Sequence, residues 1–398
     1  MAKGKKSLYE RVIPLGIPIA WMQLTSERKR FAVALAGITF AVTMMLFQMG
    51  LQRALYRQVV GPLVMLDADV VLVSPNYEYF GVGRGFPAVR LSQAYSLNEV
   101  VSANGIKLGC MSFKNVEDGR ERDIFAIAFD PSKDVFLAPE IKRNQGLLKR
   151  RGDILFDAQS RDQYGRVEEI FNERGGKFLR TELSGVKCDI VGLVEIGATF
   201  AADGNVLMSL DTYSLIWPNM PMGVYDVGVI KLKEGSDVES AVGRLGEMFP
   251  DDVRVMSKTD FIEAEKDYWA VRTPIGFVIG ASMAVAIFVG AVIVYQILYT
   301  DVSEHIPEYA TLKAIGFDDT FFISIILQES LILSFLGFIP GVGLSAILYK
   351  MTRDIANMPT YMSGADMLIV FGLSLAMCMA AGLLATRKLR RANPADIF

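Results

Sequence analysis

Histidine is almost missing from this chain: among 398 residues there is only His305. That excludes a multi-histidine metal centre, an HExxH motif and a conventional Ser-His-Asp triad. A G-x-x-x-x-G-K-[ST] phosphate loop is also missing. The nearest glycine cluster, Gly81-Val82-Gly83-Arg84-Gly85, has no Lys-Ser/Thr after it and reads as a turn. If energy drives this protein, another subunit supplies it. Cysteine is scarce, with three residues. Cys378 lies in an apolar run. Cys110 and Cys188 fall between runs, where a disulfide is permitted outside the cytoplasm but two separate small buried residues are expected. Carboxylates are plentiful and keep carboxylate chemistry open, although no pair stands out.

What the chain has is apolar length. Hydrophobic residues make up 52% of it and charged residues 21%, so the two must be segregated. Phe31–Gly50, Thr273–Thr300 and Met367–Thr386 carry no charge, and Thr320–Tyr349 carries only Glu329. A span needs about 20 apolar residues to cross a hydrocarbon layer of roughly 30 Å, and each run is long enough. The spacing is uneven: one span, a long polar stretch, then three spans in succession. It predicts an α-helical membrane protein with four transmembrane helices and a mixed α/β domain on one face, inserted between the first and second. The divisions are residues 1–30, the spans 31–50, 273–300, 320–349 and 367–386, the large domain 51–272, the loops 301–319 and 350–366, and the tail 387–398.

Basic residues set the sidedness. Lys3, Lys5, Lys6, Arg11, Arg28, Lys29 and Arg30 precede the first span, and Arg387, Lys388, Arg390 and Arg391 follow the last. Both ends are expected in the cytoplasm. Leu51–Arg272, with 27 basic and 33 acidic residues, is expected outside, in the periplasm of a double-membrane bacterium. No cleaved signal is expected before the first span. Tyr9, Val12, Ile13, Trp21 and Leu24, with basic flanks, suit a segment lying along the inner membrane surface.

In the large domain, Asp69–Ser74, Asp123–Phe129, Asp189–Ile196, Asp226–Leu232 and Val253–Met256 read as strands. Between the last two, Val238, Ala241, Leu245 and Met248 mark a helix face, which makes a compact βαβ unit. Lys142–Ala158 is charged and poorly periodic and suggests a subdomain boundary. The first span meets no breaker until Gly61-Pro62, so its helix is expected to run to Val60. On the return side Ser257-Lys258-Thr259-Asp260 resembles a capping box. From there Phe261, Ile262, Ala264, Glu265, Tyr268 and Trp269 continue with helical period to Pro274, which should break or kink the helix. Tyr268, Trp269 and Pro274 thus belong to a helical stalk that either anchors the domain or acts as a lever.

Residues 301–319 hold five acids, Asp301, Glu304, Glu308, Asp318 and Asp319, against Lys313 alone. Pro307 suits a helix start and Gly316 a helix end. A short surface helix is expected there, either merely tolerated by topology or presenting an acidic face to a cytoplasmic partner. Glu329 sits about ten residues into the third span, where an ionisable group should face a partner helix or water. Substrate contact, packing or dimer contact, and proximity to the interface all remain open for it. Gly337-Phe338-Ile339-Pro340-Gly341-Val342-Gly343 invites a kink and close helix approach.

The Glu308–Gly316 segment, Glu329, the glycines around Gly337 and the ending Arg387–Phe398 resemble the MacB/FtsX-type ABC permeases. The resemblance sharpens to the DevC-type permeases of cyanobacteria through Ala198-Thr199-Phe200-Ala201-Ala202-Asp203-Gly204-Asn205, Thr273-Pro274-Ile275-Gly276-Phe277 and Val294-Tyr295-Gln296-Ile297-Leu298-Tyr299-Thr300-Asp301-Val302-Ser303. The run Pro307–Ala314 and the end Asn393-Pro394-Ala395-Asp396-Ile397-Phe398 extend it. Tyr77–Arg90 has no counterpart. The resemblance implies a non-catalytic homodimeric permease in the bilayer that binds no cofactor itself and no nucleic acid. ATP and Mg would be bound by a DevA-like ATPase seated on Glu308, Tyr309, Leu312, Lys313 and Gly316. A DevB-like adaptor and a TolC-like outer-membrane channel would complete a path for a glycolipid or other amphiphile, driven by mechanotransmission. An FtsX-like signalling permease, a lipoprotein-releasing permease and an unrelated membrane enzyme are the competing expectations.

Overall fold

The structure is a computed structural model that describes residues 18–82, 84–199, 202–221, 223–307, 311, 319–356, 358 and 360–391. The chain divides into two units: Met1–Ala54 with Ile275–Phe398, and Leu55–Pro274.

The first unit is helical. Among the described residues four helices are long and apolar enough to cross a membrane. They are Arg28–Val64, Pro274–Glu304, Asp319–Ala356 and Gly364–Arg391. Each outruns its charge-free stretch, because charged residues at a helix end cost nothing where they meet water. The first helix also passes the expected breaker. Gly61-Pro62 lies inside it, near its end at Val64. A proline there forfeits one hydrogen bond in a turn that was about to fray. Pro274 behaves as expected and stands at the first position of its helix, after an extended Thr273. Pro18–Ser26 forms a short helix with Ala20 and Leu24 buried and Trp21 43% exposed.

The glycine-rich part of the third membrane helix makes the close approach its sequence suggests. A methyl group on Gly337 would overlap Ile38, and one on Gly341 would overlap Val42. The lack of side chains lets Thr39 donate to the Gly337 carbonyl at 3.3 Å and Thr43 to the Gly341 carbonyl at 3.3 Å. Ser345 donates to the Thr43 carbonyl from the other side, also at 3.3 Å. Small residues and hydroxyls at a helix contact supply packing and hydrogen bonds where no hydrophobic force acts between helices.

The second unit is a mixed α/β domain. Its strands are β1 (Val70–Val73), β2 (Phe86–Pro87), β3 (Val100–Lys114), β4 (Glu121–Phe129), β5 (Asp153–Asp157), β6 (Leu179–Leu183), β7 (Val186–Val194), β8 (Asn205–Ser209), β9 (Val224–Tyr225), β10 (Val227–Leu232) and β11 (Arg254–Ser257). Nine of them form one sheet in the order β11-β1-β10-β3-β4-β8-β5-β7-β6, while β2 and β9 form a separate pair. The long strand β3 serves two halves. Val100–Ile106 pairs with β10, and Lys107–Lys114 pairs with β4. The far end of β3 also meets β6 at Phe113–Leu183, so the second half curls back on itself around Phe113, Phe156, Tyr164 and Met208.

One expectation is refined and one corrected. The β10-helix-β11 segment is a βαβ crossover whose two strands run parallel without being adjacent. β1 lies between the two strands and is antiparallel to both. The Val238–Met248 helix therefore crosses over an intervening strand, burying Ala241 and Leu245. Lys142–Ala158 is not a boundary, because it contains β5, buried along its whole length and paired on both sides. The cysteines are free, with Cys188 buried and Cys110 exposed rather than buried.

Candidate functional site

Three places are candidate sites. The first is the end of the second membrane helix. Arg30, at the start of the first membrane helix, grips Glu304 with two guanidinium nitrogens and also reaches Glu27 at 3.4 Å. A two-pronged arginine–carboxylate pair fixes orientation as well as distance. It ties the helix that leads into the acidic loop to the first membrane helix. Beyond it Thr311 donates to the Pro307 carbonyl at 2.9 Å, the i to i−4 spacing of a helical turn. The expected partner-binding residues Glu308, Tyr309, Leu312, Lys313 and Gly316 lie outside the described residues.

The second is Glu329, fully buried in the third membrane helix, as are its neighbours Ser330 and Ser334. Ser330 donates to the Ile326 carbonyl at 2.8 Å, and a methyl group at Gly382 of the last helix would overlap its hydroxyl. The third and fourth membrane helices thus meet closely beside this carboxyl. At the other end of these helices Asp366, also buried, pairs with Arg53, and the Tyr349 hydroxyl donates to the Leu46 carbonyl.

The third lies in the α/β unit and was only half visible in the sequence. Ser257 caps the Lys258–Asp267 helix as its sequence suggests, accepting from the Asp260 amide at 3.0 Å. The helix then loosens into a π turn over Tyr268–Arg272, a form found frequently at functional sites. Trp269 and Tyr268 both pack against Tyr79, with ring centroids 5.5 and 4.9 Å away. Beneath them Glu265 is 2% exposed. It accepts from the Trp269 indole at 3.1 Å, from the Tyr77 hydroxyl at 2.9 Å, and from the Phe80 amide at 3.0 and 3.2 Å. Burial pushes its carboxyl up to about 7, against the pull of these donors. The Tyr77–Arg90 stretch without a counterpart thus has a local job: its first residues wrap this carboxylate. An acid on the otherwise apolar 261–265–269 stripe was the available signal.

Gly197 and Asn205, at the two ends of the stretch that carries part of the resemblance, are held similarly. Buried Asp157 accepts from the Ile196, Gly197 and Gln159 amides and from the Asn205 side chain, all within 3.1 Å. Burial raises its carboxyl, and the four donors counter it. Among the described residues no group of three or more His, Cys, Asp or Glu is placed to hold a metal ion.

Residues 280–394 match the family model of the FtsX-like permease C-terminal domain. The chain is 21% identical over 362 residues to an uncharacterized ABC transporter permease of Methanocaldococcus jannaschii, covering 87% of this chain and 86% of that one. It is 19% identical over 397 residues to the macrolide export ATP-binding/permease protein MacB of Psychrobacter cryohalolentis, covering 94% of this chain but 58% of the relative. Among solved structures, the periplasmic region of MacB from Actinobacillus actinomycetemcomitans is similar with a TM-score of 0.35 and 7% identity, covering 50% of this chain and 92% of that one. The extracellular domain of the noncanonical ABC-type transporter YknZ from Gram-positive bacteria is similar at 0.32 and 11%, covering 48% and 98%. The family match places an FtsX-like permease domain over residues 280–394, and the sequence relatives are ABC transporter permeases.

Proposed function

We propose that this chain is the membrane subunit of an ABC exporter of the MacB/FtsX type, and within it of the DevC type. The observation that carries the proposal is the permease match over 280–394, which begins in the second membrane helix and takes in the acidic loop and the last two helices. Lacking a phosphate loop of its own, the chain depends on a separate DevA-like ATPase that binds ATP and Mg. Both termini face the cytoplasm and Leu51–Arg272 faces the periplasm, consistent with the basic flanks. Two copies act together. ATP binding closes the ATPases, which push on the Glu308–Gly316 segment. The push enters the second membrane helix, whose end is already braced to the first by Arg30 and Glu304. The outside domains then drive an amphiphile, a glycolipid by resemblance, into a DevB-like adaptor and a TolC-like duct.

The test is co-purification. Glu308→Lys and Gly316→Trp should each reduce the recovery of bound ATPase at least about tenfold, the effect expected of a contact at the centre of an interface. Mass spectrometry of lipids lost on deletion of the gene then identifies the cargo. Full ATPase recovery with both variants would remove the coupling assignment. An unchanged lipid profile would remove the glycolipid.

A further inference from the structure

Glu265 draws together segments far apart in the chain. Two of its donors, Tyr77 and the Phe80 amide, lie 188 and 185 residues away, and the third, Trp269, is one helical turn on. All three donors are neutral. Beside the carboxylate is a cavity of about 20 Å³, room for one water, lined by Val59, Pro62, Tyr79, Phe80, Phe125 and Trp269. The π turn begins three residues further along, at Tyr268.

We propose that Glu265 is a proton-operated latch, closed over the Tyr77–Phe80 loop when neutral and loosened when ionised, which decides whether that loop stays fastened to the helix end that leads into the π turn. This holds whether or not the chain is an export subunit.

Geometry makes both states accessible. The ionised carboxylate accepts from all three donors. The neutral acid can instead donate to Tyr77, the only one of the three with a lone pair to offer. Ionisation places a charge in an apolar pocket where, among the described residues, no cation answers it. For this reason burial raises the carboxyl from its usual 4.5 to about 7 despite the donors. A loop that has swung open leaves Glu265 in water with its ordinary affinity for protons. Between about pH 4.5 and 7 the closed form therefore keeps a proton that the open form has lost, so opening becomes easier as pH rises through that window and levels off above it. The other titratable groups facing the site are phenols: Tyr77 and Tyr79 on the loop, both pushed upward chiefly by burial, and Tyr268 on the helix end. Glu78 approaches Tyr79 from the solvent side. Val59, Pro62, Phe125 and Thr199 bring no titratable group from the other elements.

The test uses the full chain in detergent micelles, as wild type, Glu265→Gln and Tyr77→Phe. Tryptophan emission of the wild type should titrate with a midpoint near 7, where burial places the Glu265 carboxyl. Glu265→Gln should flatten that titration. Tyr77→Phe, having lost a donor to the ionised form, should move the midpoint upward. Trypsin cleavage after exposed Arg84 gives the loop readout. The ratio of wild-type to Glu265→Gln cleavage cancels the protease's own pH profile and should rise about tenfold between pH 6 and 8. The same titration in Glu265→Gln, a midpoint unmoved by Tyr77→Phe, or a constant cleavage ratio would each overturn the latch.

Discussion

The two units of this protein treat polar groups in opposite ways. In the helical unit most buried hydroxyls bond to backbone carbonyls, either across to a neighbouring helix, as Thr39 does to Gly337, or on their own helix. Thr43 bonds to the Thr39 carbonyl, Ser345 to Gly341 and Ser330 to Ile326, each one turn earlier on the same helix. In the α/β unit the buried carboxylates of Asp157 and Glu265 gather donors from loops and strands far apart in sequence. Apolar side chains are reversed as well. Phe261 is fully buried in the sheet unit, while Phe277, Ile355 and Leu368 on membrane helices are 74–78% exposed. The solvent explains both contrasts. A membrane helix surrounded by hydrocarbon keeps its hydrogen bonds within protein, on its own turns or a neighbouring helix, and gains nothing by hiding phenylalanine. A domain surrounded by water must bury its apolar groups, and each carboxylate it buries with them must be answered by fixed donors.

Substitutions can break that comparison, measured as thermal or denaturant stability of the purified full chain. The largest effect is expected from Phe261→Ala, which empties a packed site beneath Tyr77 and should cost about 3–5 kcal/mol. An effect below about 1 kcal/mol would show that the sheet core is loosely packed. Gly337→Leu comes next: it drives a side chain into Ile38 and should cost roughly 1–3 kcal/mol in the helical unit. Ser257→Ala removes the cap of the Lys258–Asp267 helix and should cost about 1 kcal/mol. Phe277→Ala should be the mildest, within about 0.5 kcal/mol, because its ring loses no protein partner of consequence. A large loss there would reveal a protein surface, such as a second copy, covering that face.

The same contrast governs how much could be read from sequence. The membrane helices were legible because hydrocarbon imposes one rule on twenty residues at a time. Their ends were not, since charges cost little near water and Pro62 falls in the last turn of its helix, where it forfeits only one hydrogen bond. In the α/β unit β1, β4, β7, β10 and β11 were visible as Val- and Ile-rich runs. The strands β5 and β8 are fully buried like β1, but each holds a single β-branched residue, so neither alternation nor a Val/Ile run marks it. The long β3 was hidden by Gly105, Lys107 and Gly109 within it. Of the candidate sites, the Ser257 cap and the Pro274 break were local and therefore readable. The Arg30–Glu304 and Tyr77–Glu265 contacts join residues 274 and 188 positions apart, and no local pattern announces them.

The placement of β1 has a consequence in time. It pairs only with β10 and β11, so Val70 meets Ile230 and Ser257. A ribosome adding about 5–20 residues per second needs roughly ten to thirty seconds to supply the first of those partners. During that interval a Val-Val-Leu-Val segment stands with both edges open while most of the domain is still unmade. Nascent chains of this protein are therefore expected to engage a holding chaperone until β10 emerges, and truncations that end before Val227 should aggregate rather than accumulate as a soluble fragment.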